Sequence, residues 1–259
     1  MKLLKIIIAF VMLTNLVFAQ GKDVTYSDGS TALKGYFVKA QGSKGKAPGV
    51  IVIHAWMGLD EHAKHSADQL SKLGYNALAA DIYGENSRPK DKQEAAKTSS
   101  YYKNNPAIYQ SRIKAALEEL IKVGADPSKI VVMGYCFGGT GALEAARGEL
   151  PVAGVVSFHG GLGKDTSRAN ALIKPKVLVL HGADDPYVSD AEIKGFQKEM
   201  RDGKADWQMV YYGNAVHAFT EEKAGNDNAK GAAYNEKAAK RSWEALVVFL
   251  KEVFGSLKM

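Results

Sequence analysis

Val131-Val132-Met133-Gly134-Tyr135-Cys136-Phe137-Gly138-Gly139 is the stretch from which the architecture can be read. An apolar run that reads as a buried strand breaks at Gly134, and a helix-compatible stretch, Ala142 to Arg147, follows. One residue separates Gly134 from Cys136 and another separates Cys136 from Gly138. That spacing is Gly-x-nucleophile-x-Gly at a strand-to-helix elbow, with sulfur where serine is commoner. Small residues two positions either side permit a cramped backbone that projects the central side chain into a cleft. Cys136 is the only cysteine among 259 residues. A lone free thiol is commonly a packing residue; strand, turn and helix in that order favour a nucleophile.

On either side of this stretch lie further short apolar runs that read as buried strands: Gly49 to His54, Asn76 to Asp81, Val152 to Phe158, Val177 to His181 and Trp207 to Tyr212. Alternation over Leu33 to Val38 suggests an early edge strand. Helical stretches separate most of them, at about Glu61 to Leu73, Ile108 to Val123, Thr140 to Arg147 and Asp190 to Met200. A last amphipathic helix, roughly Asn235 to Phe254, carries Trp243, Leu246, Val247, Leu250 and Val253 at helical spacing and reads as core. Strands apolar on both faces, alternating with helices, predict an α/β domain: a mostly parallel central sheet with helices on both faces. In such sheets the ligand cleft lies beyond the carboxyl ends of the strands.

Residues 1–19 have the order of a signal peptide: a basic start at Lys2 and Lys5, an apolar core from Ile6 to Leu13, and Val17-Phe18-Ala19 before Gln20. The apolar core is short for a membrane span, which needs about 20 residues. The expected product is residues 20–259, one domain, exported to a periplasmic or extracellular destination, with no membrane attachment after cleavage. One cysteine permits no internal disulfide there. The formal charge of +6 is spread over lysines that alternate with acids, a solvated surface and not a nucleic-acid patch.

Three strand ends supply a triad. Cys136 follows the Ile130 strand, Asp184 and Asp185 follow the Val177 strand, and His217 follows the Trp207 strand. A thiol must lose its proton to attack, an imidazole can take it, and a carboxylate sets the imidazole's tautomer. The order nucleophile, acid, histidine is that of α/β hydrolases.

Gly134-Tyr135-Cys136-Phe137-Gly138-Gly139, Gly182-Ala183-Asp184-Asp185 with Val188, His217-Ala218-Phe219, and Ala80-Asp81-Ile82-Tyr83-Gly84 together resemble the motifs of the dienelactone hydrolase family. The resemblance spans nearly all of residues 20–259 and implies the α/β-hydrolase fold. It implies that Cys136, Asp185 and His217 are the catalytic triad, since Asp-x-x-Val matches at Asp185. It also implies an oxyanion hole made by the backbone N–H groups of Trp56 and Phe137. Two positions depart from the family. The residue before the first oxyanion donor is Ala55, where the family has a glutamate that interacts with the resting thiol. Two residues after Phe219 stands Glu221, where the family has an arginine for the lactone carboxylate.

His54, Tyr135, His159 and Phe219, at or beside strand ends, are candidate substrate-pocket residues; His54 and His181 end strands and either line the cleft or satisfy backbone groups, the structural role being favoured for His181. His62 and His65 have helical spacing but lack the third ligand of a zinc site, and read as surface residues. No metal and no cofactor is expected. The combined reading is an exported hydrolase of small carboxylic esters or lactones acting through an acyl-enzyme. Thioesters, amides and acylated sugars are alternative substrates. A non-catalytic binding protein on the same fold is a rival of a different class. A redox-responsive thiol protein is another, disfavoured by the lack of a second cysteine.

Overall fold

The computed structural model describes residues 21–255; the expected signal peptide, residues 1–19, lies outside them. Eight strands form one sheet: β1 (Lys22–Asp28), β2 (Thr31–Val38), β3 (Ala47–Ile53), β4 (Asn76–Ala80), β5 (Ala125–Tyr135), β6 (Gly154–Phe158), β7 (Lys176–Gly182) and β8 (Trp207–Tyr212). The helices are α1 (Glu61–Lys72), α2 (Lys92–Asn104), α3 (Pro106–Lys122), α4 (Phe137–Arg147), α5 (Asp190–Asp202) and α6 (Glu236–Phe254). The strand order is β1-β2-β4-β3-β5-β6-β7-β8. β1, β2 and β4 pair antiparallel. All pairings from β4 through β8 are parallel. The order reverses at β3, whose neighbours β4 and β5 lie on opposite sides, so the crevice between the ends of β3 and β5 is where a ligand cleft is expected.

The central strands are apolar on both faces because both are covered. Ile51 and Ile53 of β3 point to the side packed by Ile113, Leu117 and Leu120 of α3, Leu143 of α4, and Phe196 and Met200 of α5. Val50 and Val52 point to the other side, with Ala63, Ala67 and Leu70 of α1 and Leu246 and Leu250 of α6. Each buried Leu or Ile side chain contributes about 1.5–3 kcal/mol by leaving water.

Two elements went unanticipated by the sequence reading. β1 has Tyr26 as its one buried residue and is a solvent-washed edge. The inward stripe of α2 is Ala95, Ser99 and Tyr102, helically spaced but mostly small and polar, so hydrophobic periodicity is silent there. α4 also starts at Phe137, earlier than Thr140.

Behind the ends of β5 and β6 lies a buried ion network. Arg147 of α4, with its side chain 3% exposed, pairs with Glu144 and with Glu199 of α5 at 3.1 and 2.8 Å. The same guanidinium donates to the carbonyls of Leu162 and Gly163. It thereby pins the loop that leaves β6.

Candidate active site

The elbow is built by contacts that admit no side chain. A Cβ on Gly134 would stand 2.2 Å from the carbonyl oxygen of Gly138, and one on Gly138 would stand 2.3 Å from that of Ile53. β5 and α4 therefore meet at van der Waals distance across the turn, and Cys136 takes the bend at φ 52°, ψ −111°. A non-glycine residue at positive φ carries strain of order 1–3 kcal/mol, held in place by its surroundings. Here the Cys136 N–H donates to the Phe158 carbonyl at 3.0 Å, and the Cys136 carbonyl accepts from Gly139 N–H at 3.0 Å. The thiol is half-buried.

His217 reaches the same point from the far edge. It follows β8 on a loop with Asn214 and Ala218 also at positive φ. Its N–H donates to the Gly231 carbonyl and its own carbonyl accepts from Ala233 N–H, at 3.2 and 3.0 Å. His217 Nδ1 lies 2.8 Å from Asp185 Oδ2, with the carboxylate wholly buried and the imidazole 15% exposed. Asp185 Oδ1 accepts from Tyr187 N–H at 2.9 Å, so both carboxylate oxygens are engaged. Burial alone would depress the imidazole pKa; the hydrogen bond to Asp185, the nearby sulfur of Cys136 and the charges of both outweigh it and raise it to about 10. Asp184 is exposed and binds the Ala215 carbonyl only through its backbone N–H. His217 and Asp185 are thus a hydrogen-bonded pair, with Cys136 close enough to act on the imidazole.

Phe137 opens α4, so its N–H is one of the first-turn donors that have no intrahelical acceptor. The loop after β3 that carries Trp56 is fixed from two sides. Tyr83 Oη donates to the Trp56 carbonyl at 3.0 Å. His54 Nδ1 lies 2.6 Å from the Ala55 carbonyl, which can only accept, so the ring proton is on Nδ1 and Nε2 accepts from Ile82 N–H at 3.3 Å. Asp81, also fully buried, accepts from the N–H groups of Lys34, Tyr83 and Gly84 and from Arg88. Its carboxylate holds the facing loop and had no recognised role in the sequence reading.

The expected pocket residues divide. His54 and His159 are 0% exposed, as is Phe219. None of the three lines the neighbouring open cavity, and neither do Cys136, His217 and Asp185. Tyr135 does line that cavity, with its hydroxyl 2.9 Å from Ser66 Oγ. His181 is buried beside Tyr211, in keeping with a structural role. His62, read from sequence as a surface residue, is half-buried with its ring edge-on to Tyr135 at 4.4 Å; the α1 stripe turns it inward.

The cavity has a volume of about 860 Å³ and lies between α1, α6 and the loop after His217. Its walls carry Asp60, Glu61, Glu221, Glu222, Glu236 and Glu244 against Lys223 and Lys240. Burial, with the Asp60 charge added, pushes the Glu221 carboxyl up to about 7 despite an opposing pull from His217.

Known proteins match on this framework. A solved structure of a dienelactone hydrolase-like promiscuous phosphotriesterase from metagenomic libraries is 40% identical, superimposes with a TM-score of 0.84, and is matched over 90% of this chain and 98% of its own. A dienelactone hydrolase from Anabaena variabilis shares the fold at 20% identity and a TM-score of 0.62, over 91% of this chain and 98% of its own. A Saccharolobus solfataricus protein named "Putative carboxymethylenebutenolidase" is 27% identical over 90% of this chain and 98% of its length. The model of the dienelactone hydrolase family matches residues 33–254. With the α/β-hydrolase fold beneath that match, the chain is a hydrolase and belongs to the dienelactone hydrolase family.

Proposed function

We propose that the protein hydrolyses small carboxylic esters or lactones through a covalent acyl-enzyme on Cys136. One observation carries the reading: His217, whose Nδ1 lies 2.8 Å from the buried carboxylate of Asp185, is near enough to the thiol on the strained elbow for Cys136 to help raise its pKa. In the resting site the raised pKa of His217 keeps its imidazole protonated, and the attacking species is the thiolate that Cys136 forms beside it. The thiolate attacks the carbonyl carbon, and the oxyanion forms against the N–H groups of Trp56 and Phe137. Collapse of the tetrahedral species breaks the C–O bond, and the leaving alkoxide takes the proton from His217. Neutral His217 then draws a proton from water, which attacks the thioester and releases the acid and the thiolate.

Glu221, whose carboxyl interacts with His217, stands where the family's carboxylate-binding arginine is expected, and it disfavours anionic substrates. Neutral or positively charged esters and lactones are the fitting class. Residues 1–19 are inferred to direct export, and a mature chain beginning at Gln20 tests that inference by mass.

Cys136→Ala is the direct test, with p-nitrophenyl acetate as substrate and intact mass as readout. Wild-type protein should gain one acetyl adduct under rapid quench, and the variant should gain none and turn over at background. Hydrolysis by Cys136→Ala at the wild-type rate would remove the sulfur from the mechanism.

A further inference from the structure

The loop that carries His217 is clasped by a hydroxyl three residues further on. Thr220 Oγ1 lies 2.8 Å from His159 Nε2 and 3.3 Å from His62 Nε2. The two rings belong to different elements: His159 follows β6, and His62 sits in the first turn of α1. A threonine hydroxyl has one hydrogen and two lone pairs. To use that hydrogen here it donates to one ring and accepts from the other, so the two imidazoles take complementary tautomers with Thr220 between them.

His159 is held in an uncommon state for this purpose. It adopts φ 38°, a left-handed conformation rare outside glycine, and is fully buried. Burial keeps its imidazole well below the ordinary pKa and therefore neutral. Its ring meets that of His217 nearly edge to face, with centroids 5.3 Å apart at 67°. Tyr187 makes a similar contact with the same ring at 5.3 Å and 87°. The His217 imidazole thus meets two rings at steep angles, and the orientation of the His159 ring depends on Thr220.

We propose that Thr220 is a positioning residue for His217: its hydroxyl ties the loop after β8 to β6 and α1, and fixes the His159 ring against which the His217 imidazole is seated. This rests on the reading of Cys136, His217 and Asp185 as the triad. Proton transfer between sulfur, imidazole and leaving group is sensitive to position, and a displacement of about 1 Å costs on the order of a hundredfold. Asp185 still holds Nδ1 when Thr220 is altered, so the expected loss is smaller than loss of a triad member.

Thr220→Val replaces the hydroxyl by a methyl of similar size, and Thr220→Ser keeps the hydroxyl. With p-nitrophenyl acetate, Thr220→Val should lower kcat by about tenfold to a hundredfold with KM changed less than about threefold. Thr220→Ser should stay within about threefold of wild type in kcat. Should the valine variant fail to fold, His62→Phe reads the clasp from its half-exposed end, keeping the ring against Tyr135 without the nitrogen. It should lower kcat by roughly threefold to tenfold. A wild-type kcat in a folded Thr220→Val, or in His62→Phe where the valine variant does not fold, overturns the proposal. So does an equal loss in the serine and valine variants, since the hydroxyl would then be irrelevant. Full activity in Cys136→Ala would instead sink the triad, and the proposal with it.

Discussion

Replacing Asp185 by asparagine isolates what the buried carboxylate does. The rise of the His217 pKa from 6.5 to about 10 corresponds to roughly 5 kcal/mol favouring the imidazolium, at about 1.4 kcal/mol per unit. Asp185 and Cys136 share that stabilisation, so loss of the Asp185 charge forfeits about 2–3 kcal/mol, on the order of a hundredfold in rate. The local hydrogen bonds raise the loss further. Tyr187 N–H needs an acceptor where Oδ1 now stands, which directs the asparagine oxygen there and its NH₂ toward His217 Nδ1. That amide can only donate, so the ring is driven to carry its proton on Nε2, facing the sulfur, which is the wrong tautomer for taking a proton from Cys136. In a serine triad this error costs about 10⁴-fold in turnover. Asp185→Asn should therefore lose between about 10² and 10⁴ in kcat/KM, against less than about threefold for the exposed Asp184→Asn. The pH profile adds a second check. A raised histidine pKa places the loss of the imidazolium, and hence the alkaline limb of kcat/KM, near 10 in the wild type. The limb should move to lower pH in Asp185→Asn. By linkage, the stability this pair contributes is fully present below pH 6.5 and is lost as pH rises through about 10. The urea-melt difference between wild type and Asp185→Asn should shrink over that window. A loss below about tenfold, equal effects at 184 and 185, or an unmoved alkaline limb would refute the reasoning.

With Ala55 beside the oxyanion loop, the resting sulfur has no competing carboxylate at that position. Iodoacetamide should inactivate the enzyme without substrate, at a rate that persists well below the free-cysteine pKa of about 8.5; Ala55→Glu should slow it several-fold, and a wild-type rate that titrates like a free thiol would exclude the resting ion pair. Arg147→Met leaves the nearly inaccessible Glu199 without its cation, while Glu144 keeps Arg168 at 3.0 Å. Breaking a buried pair in this way costs about 3–5 kcal/mol, read as a lowered denaturation midpoint.

The alternation of apolar runs with helical stretches was enough to assign the layered α/β architecture, because strands buried on both faces have no polar side to show. The elbow and the candidate nucleophile were equally legible, since the cramped turn requires glycine at 134 and 138 whatever surrounds it. The choice of Asp185 over Asp184 rested on register alone, and the two carboxylates are chemically identical; the turn after β7 buries one against His217 and leaves the other in water. Ala95, Ser99 and Tyr102 conceal α2 for a similar reason, as their burial comes from what packs on them and not from their own hydrophobicity. The inward turn of His62 against Tyr135 and the clasp at Thr220 join segments up to 158 residues apart. No local pattern encodes such contacts: they exist only once β6, the loop after β8 and α1 are brought to one end of the sheet.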